Sequence, residues 1–360
     1  MESTRSWWMF VAVAALGMGC TSSSDVTEIS DLSALNTTSS SDVAEVGGAS
    51  ALSGQIKIDG SSTVYPISEA AANEFKKEFP NVSVTVGTSG TGGGFKVFSK
   101  GESDISDASR PIKKAELDQC NQSGVEFVEV PVAYDGLTIV VNPENTWVKQ
   151  LTVEQLKKIF GEKGAAKNWS DVNPEWPTEA IKIYAPGTDS GTFDYFKEVV
   201  ADEGSSLRSD MSVSEDDNVL VTGVKGEKNA IGFFGAAYYF ENADSLKAVP
   251  IVNPSNGEAV LPSPDTIESG LYAPFSRPLF IYVNVASMKR PEMKKFASFY
   301  LENAAKFAVQ VGYVGLPGSV YELAVTHLTD RLTGTHFIDA AGDKRSGALP
   351  ELYTTESLVK

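Results

Sequence analysis

The sequence predicts an α/β protein in which several helix N-termini converge on an anion. Three observations carry that reading. From Gln55 onward, short period-two runs alternate with runs of helical spacing, the pattern of βα units with helices on the faces of a sheet. Three Ser/Thr-Gly loops each open such a helical run: Gly60-Ser61-Ser62-Thr63, Thr88-Ser89-Gly90-Thr91-Gly92-Gly93-Gly94 and Thr188-Asp189-Ser190-Gly191-Thr192. And 360 residues, 42% of them hydrophobic, are enough for a substantial core and for two domains.

The chain begins with a weak basic region at Arg5. An apolar run from Trp7 to Leu16 follows, too short for an ordinary membrane span. It ends in Leu16-Gly17-Met18-Gly19-Cys20, which resembles a bacterial lipoprotein lipobox with Leu16 one place early. Residues 1–20 are therefore expected to be an export signal and Cys20 the lipidation site, the alternative being an ordinary signal cut near the same point. Residues 21–54 are rich in Ser, Thr, Asp, Glu, Ala and Gly, a composition that cannot bury enough surface to order itself, and are expected to be a flexible tether.

Beyond the tether, Ile56-Lys57-Ile58 and Val82 to Val86 alternate as half-buried strands do, with a helical stretch between them that stops at Phe79-Pro80. Phe127 to Val130 and Leu137 to Val141 read as two further strands. Ile181 to Tyr184, Ala230 to Phe234 and Leu279 to Val283 continue the series. Helical spacing after the three loops places Ile67, Ala71 and Phe75, then Phe95 and Phe98, then Phe193, Phe196 and Val200 on buried faces.

The formal net charge of −17 excludes a general electrostatic grip on nucleic acid. It does not exclude a local anion site built from hydrogen-bond donors. The first turn of a helix has unpaired N–H groups and the positive end of the dipole, and small hydroxyl and glycine residues there let an anion approach. No cofactor is implied. The two cysteines, Cys20 and Cys120, leave no intrachain disulfide if Cys20 is lipidated, and Cys120 reads as a buried structural thiol. His327 and His336 have no partner at ligand spacing, so no metal site is expected.

A fourth polar loop, Asp104 to Pro111, puts Ser109 and Arg110 before a proline helix start. Alone it is equally a cap beside a surface charge. Next to the glycine loops, Arg110 reads as a guanidinium fork for an oxyanion. In Val132-Ala133-Tyr134-Asp135-Gly136-Leu137, Asp135 is either a turn residue or a buried functional carboxylate. The glycine segment lacks both the Gly-Lys-Ser/Thr ending of a Walker loop and dinucleotide spacing. Asp189-Ser190-Gly191 is similar to a serine-protease motif, but neither histidine lies upstream.

In order along the chain, Gly60-Ser61-Ser62-Thr63-Val64, Gly87 to Gly93, Asp107-Ala108-Ser109-Arg110-Pro111, Val132 to Gly136, Thr188 to Thr192, Ser214 to Asn218 and Ala230 to Phe234 resemble the motif set of the phosphate-binding proteins of Pst-type ABC importers. The resemblance runs from about Ile56 to about Arg331. It implies a type II periplasmic-binding-protein fold, with two α/β lobes joined by crossover strands near Pro131 to Asp135 and near Ser269 to Arg277. Lobe one would be 55–132 with 272–360, and lobe two 133–271. It further implies a monomeric receptor, not an enzyme. It would be exported to the periplasm or cell surface, bind inorganic phosphate by hinge closure and deliver it to the permease subunits of an importer.

Carried over position by position, Ser62, Thr63 and Val64 supply the first loop's donors, Ser89 and Gly90 the second's, Ser109 and Arg110 the third's, and Ser190, Gly191 and Thr192 the fourth's. The sequence departs from better-known members at two places. Their Arg four residues before the Ser of the fourth loop is Pro186 here, and their Asp of Ala-Ser-Asp is Arg110. Arg110 is thus expected to be the main cation. Asp135, or second Asp107, would accept the hydrogen bond of a protonated phosphate; sulfate, which has no proton, would meet a bare like charge. Open alternatives are a receptor for sulfate or molybdate on the same fold, a secreted serine hydrolase using Ser190, and an adhesion or signalling protein with a retained binding fold.

Overall fold

The structure is a computed structural model that describes residues 52–360 apart from 164, 189, 202, 203, 340 and 346. The expected signal segment with Cys20, all but the end of the expected tether, and Asp189 of the fourth loop lie outside the described residues.

The chain first lays down β1 (Gly54–Gly60), α1 (Tyr65–Glu78), β2 (Val82–Gly87), α2 (Thr91–Phe98), β3 (Ile105–Ala108) and α3 (Lys114–Ser123). β1 pairs parallel with both β2 and β3. Parallel pairing brings the C-terminal ends of the three strands to one sheet edge, so the loops after Gly60, Gly87 and Ala108 open side by side. The helices that follow are held by apolar faces: Ile67, Ala71 and Phe75 of α1 and Phe95 and Phe98 of α2 are buried. Phe75 stacks on Phe79 and meets Phe296 edge-on.

Next comes β4 (Phe127–Val141), one continuous fifteen-residue strand with every residue buried. The two separate strands expected here are joined, and Tyr134-Asp135-Gly136 lies inside the strand instead of in a turn. The interruption in the sequence pattern marks a register slip, not a break. Ala133 faces Leu279 while Pro131 faces Phe280, leaving Val132 without a cross-strand partner there. Pro131 has no N–H to give to the ladder, and a bulge beside it absorbs the loss. Val132 finds its partner elsewhere, its carbonyl accepting from the Tyr321 hydroxyl at 2.8 Å.

The chain goes on with α4 (Val153–Phe160), α5 (Trp169–Val172), β5 (Lys182–Pro186), α6 (Gly191–Val200), β6 (Ser212–Ser214), α7 (Asp217–Gly226), β7 (Ala230–Gly235), α8 (Ala236–Glu241), β8 (Lys247–Ala248), β9 (Ile251–Val252), β10 (Ala259–Val260) and α9 (Pro264–Glu268). β5 pairs parallel with β6 and β7. The helix after β5 is pinned by Phe196, whose ring stacks on Phe233 at 3.9 Å. The chain then returns through β11 (Ser276–Asn284) and ends in α10 (Pro291–Gln310), α11 (Gly318–Asp330) and α12 (Leu349–Leu352).

One nine-stranded sheet runs through both lobes in the order β2-β1-β3-β11-β4-β7-β5-β6, with β8 also on β4. Residues 127–136 of β4 pair with β11, and Leu137–Val141 pair with β7. Two antiparallel strands thus lie side by side where the lobes meet. Among the described residues no helix is long and apolar enough to cross a membrane.

Candidate anion-binding cleft

The loop after β1 is shaped by its backbone. Gly60 has a φ of 146°, and a Cβ there would lie 2.2 Å from the Asp107 carbonyl oxygen. Only glycine lets β1 and β3 approach so closely. The Ser61 amide then donates to the Asp107 carbonyl at 2.9 Å, and the Ser61 hydroxyl accepts from the Thr63 amide at 3.2 Å. Thr63 is held from the other side as well, its carbonyl accepting from the Tyr313 hydroxyl at 2.8 Å.

The second loop is tied to the first. The Ser89 amide and hydroxyl both donate to Asp59, at 3.2 and 2.8 Å, and the Gly90 amide donates to the Gly60 carbonyl at 2.8 Å. Gly90, at a φ of 77°, caps α2. In the third loop the Ser109 amide donates to the Thr91 hydroxyl at 3.1 Å. The fourth loop caps α6, the Ser190 hydroxyl accepting from the Thr192 amide at 3.2 Å. Gly191 abuts the first loop: a Cβ there would lie 2.7 Å from the Thr63 Cα.

These loops surround two adjoining cavities of about 710 and 940 Å3, which share Ser62, Gly90 and Asp194. The first gathers Ser62, Thr63, Gly90, Ser109, Arg110 and Arg277, with Lys197 from α6. The second gathers Ser62, Ser89, Gly90, Ser190, Gly191 and Thr192, and is bordered by Asp194, Glu215 and Asp217. Val64 and Asp135 line neither; Val64 is fully buried beneath the first loop, and Asp135 is fully buried behind Arg277. The expected loops therefore meet, but around two spaces, because Gly191 backs directly onto Thr63.

The cations are arranged differently from the expectation. Both amino groups of the Arg110 fork donate to the Glu116 carboxylate, at 2.9 and 2.8 Å, so Arg110 reaches the cavity already paired. A cation that sequence reading did not single out, Arg277, lines the same cavity. It stands on β11 directly opposite Asp135 on β4. Its Nε and Nη2 each lie 3.3 Å from Asp135 Oδ2, its Nη2 donates to Thr63 Oγ1 at 3.3 Å, and its Nη1 donates to Glu198 at 3.0 Å. The guanidinium carbon lies over the Tyr195 ring, 3.6 Å from its centroid. A guanidinium thus reaches the cleft from the returning strand, in a chain that has Pro186 before the fourth loop.

Asp135 is fully buried, and its Oδ1 has no partner among the described residues. Burial pushes its carboxyl up to about 6, with the Arg277 charge opposing the rise. It is therefore mostly ionised at neutral pH. Asp107, the second candidate acid, points into lobe one, where Ser68 donates to it at 2.9 Å. Burial pushes Asp107 up to about 8, so at neutral pH it is mainly a proton donor, not an acceptor.

The Asp107 shift has a measurable consequence. Its pKa is raised on folding, so between about pH 4 and 8 the folded chain keeps a proton that the unfolded chain gives up. Stability associated with this group is complete at low pH and falls as pH rises toward 8. The limiting slope is about 1.4 kcal/mol per pH unit. In Asp107→Asn, an isostere that cannot ionise, this loss should vanish. Denaturant unfolding at pH 5 and pH 8 should show wild type losing at least about 2 kcal/mol relative to the variant over that interval.

A profile for the PBP superfamily domain matches residues 46–304. Protein SphX of Synechococcus elongatus is 47% identical over 305 residues, covering 84% of this chain and 89% of that protein. The phosphate-binding protein PstS of Staphylococcus saprophyticus is 43% identical over 278 residues, covering 77% and 85%. The chain belongs to the PstS-type phosphate-binding protein family. Among solved structures, a possible phosphate binding protein from Planctomyces limnophilus aligns with a TM-score of 0.76 at 48% identity, over 78% of this chain and all of that one. An ABC-type phosphate transport receptor from Vibrio cholerae aligns at 0.55 and 28% identity, over 73% of this chain and all of that one.

Within this family frame Arg277 did leave a trace in the sequence. It is the only Lys or Arg between Lys247 and Lys289, it directly precedes an apolar strand, and Ser276-Arg277-Pro278 repeats the Ser109-Arg110-Pro111 triplet. Neither histidine lines the cavity that holds Ser190, so the serine-hydrolase alternative has no histidine base there. The chain has two histidines; their rings stack on each other at 5.1 Å and lie tilted against Tyr353, and His336 is bonded to Glu129. Among the described residues no group of three potential metal ligands occurs.

Proposed function

We propose that this chain is an extracytoplasmic receptor that binds inorganic phosphate and passes it to the permease of an ABC importer. The observation that carries the reading is the buried pair Arg277–Asp135, set on two adjacent strands at the meeting of the lobes and touching the Thr63 loop. A cation and an ionised carboxylate together suit an oxyanion that still carries a proton near neutral pH. The cation meets the charge and Asp135 accepts the proton's hydrogen bond. The phosphate sits where the two cavities join at Ser62 and Gly90. Thr63 and Ser109 lie on one side and Ser190, Gly191 and Thr192 on the other.

Strands β4 and β11 are the crossovers in this reading, dividing 55–132 and 272–360 from 133–271. Closure is a hinge motion about them, completed by contacts such as Ser62 Oγ to Asp194 at 3.3 Å. The receptor acts as a monomer held near its membrane by lipid on Cys20, with residues 21–54 as the tether. The family to which the chain belongs consists of transport receptors.

Calorimetry of ligand-stripped protein with phosphate, arsenate and sulfate tests the reading. Phosphate and arsenate, each of which still carries a proton at neutral pH, should bind, and sulfate should bind far more weakly. In Asp135→Asn the repulsive charge is gone, so sulfate should gain on phosphate by at least about tenfold in the ratio of the two Kd values. An unchanged ratio would overturn the role of Asp135, and sulfate binding as tightly as phosphate in wild type would overturn the choice of ligand.

A further inference from the structure

Beyond the cleft, a cavity of about 390 Å3 shares Ser109, Arg110 and Arg277 with the first cleft cavity. Its other walls include Lys344 and Arg345, and no carboxylate is among its lining residues. A further pocket of about 210 Å3 continues from it past Arg110, Pro111, Phe337 and Lys344 to Lys113 and Lys114. Cations therefore cluster along one route to the cleft, in a chain whose formal net charge is −17.

Some of these charges are already matched. Arg110 pairs with Glu116, Lys114 with Asp118, and Arg277 with Asp135 and Glu198. Lys113, Lys344 and Arg345 carry no ion pair among the described residues. Arg345 is held by carbonyl dipoles instead, its Nη1 donating to His336 at 3.3 Å and to Ser357 at 2.6 Å. Lys344 sits on a tight hairpin, bridged to Ile338. The nearby Asp339 carboxylate is turned onto the amides of Ala341 and Asp343.

A strongly acidic protein repels the anion it must capture, and the repulsion acts over about a Debye length. We propose that the cavity walled by Ser109, Arg110, Lys344 and Arg345 is an accessory anion-binding vestibule, which collects inorganic oxyanions from solution and hands them to Arg277. The inference rests on the phosphate reading of the cleft, because it concerns how the same ligand arrives. It places the vestibule in control of association, while the cleft loops control release.

Stopped-flow mixing of ligand-stripped full-length protein with inorganic phosphate separates these roles, with calorimetry giving the Kd of each variant. In Lys344→Glu the association rate constant should fall by about threefold to tenfold at low ionic strength, and the deficit should shrink in high salt. The dissociation rate constant should stay within about twofold of wild type. Lys149→Glu makes the same change in net charge on an exposed lysine that lines none of these cavities, and it should leave association nearly unchanged. Equal association rates for the two variants, with phosphate affinity intact, overturn the vestibule alone. Wild-type protein with no saturable phosphate binding overturns the reading of the cleft and the vestibule with it.

Discussion

Replacing Arg277 with alanine is expected to weaken phosphate binding by at least about a hundredfold, or roughly 3 kcal/mol. Arg277 is the cation that touches both the buried acid and the first loop. Its bond to Glu198 is to a side chain that is 67% exposed, so an incoming anion can displace that partner at little cost. Removing Arg277 deletes a charge-assisted fork in a desolvated place and leaves Asp135 buried without its cation. The carboxyl of Asp135, already pushed up to about 6, should then rise further. Arg277→Lys keeps the charge but loses the fork and the stacking on Tyr195, and should recover only part of the affinity. Arg110→Ala should cost less than about tenfold, because its fork is engaged by Glu116. Calorimetry on the three variants checks the order. A larger loss at Arg110 than at Arg277 would return the main cation to the third loop.

The largest expected effect on stability lies at Glu129, on the lobe-one half of β4. This carboxylate is buried and accepts four bonds. Tyr282 and Thr335 hydroxyls donate to Oε2, each at 2.7 Å, and the His336 amide at 2.9 Å and ring Nδ1 at 3.0 Å meet Oε1. The cluster fastens the segment after α11 to the strand that runs into the cleft. Glu129→Ala leaves those donors buried without an acceptor, and should cost about 3–5 kcal/mol in denaturant unfolding. Glu129→Gln keeps the shape and one acceptor oxygen, and should cost less. Because no cavity of the cleft is lined by Glu129, phosphate affinity of any folded fraction should hold. An equal loss of stability in both variants would show that packing, not hydrogen bonding, is what Glu129 supplies.

Much of this was legible in the chain itself. The α/β class followed from alternation of the two periods, and Ile67, Ala71, Phe75, Phe95, Phe98, Phe196 and Val200 are buried as their helical spacing requires, while Phe193, in the first turn of α6, is only partly buried. Membership of the phosphate-binding family followed from the order of short loops, each of which must have glycine or a small hydroxyl at a strand-to-helix turn. The two strands read at 127–130 and 137–141 were harder. A proline and an acid in the middle resemble a turn, and only pairing with β11 shows a single bulged strand.

Which carboxylates the two arginines meet was not legible, and the reason is physical. A local pattern records what the backbone nearby can do, such as cap a helix or turn a loop. It does not record which carboxylate a long side chain will meet. Arg110 looked free because Glu116 lies six residues further on, across the non-helical residues before α3, a spacing that marks no pair in a sequence. Arg277 looked like a strand boundary because its partner, Asp135, is 142 residues away in sequence. The sequence by itself determined the loops that can receive an anion, through φ, size and hydroxyl chemistry at each helix start. The tertiary structure decided which charges stand there, because antiparallel pairing of two distant strands set Arg277 opposite a buried acid, where burial gives each charge its consequence.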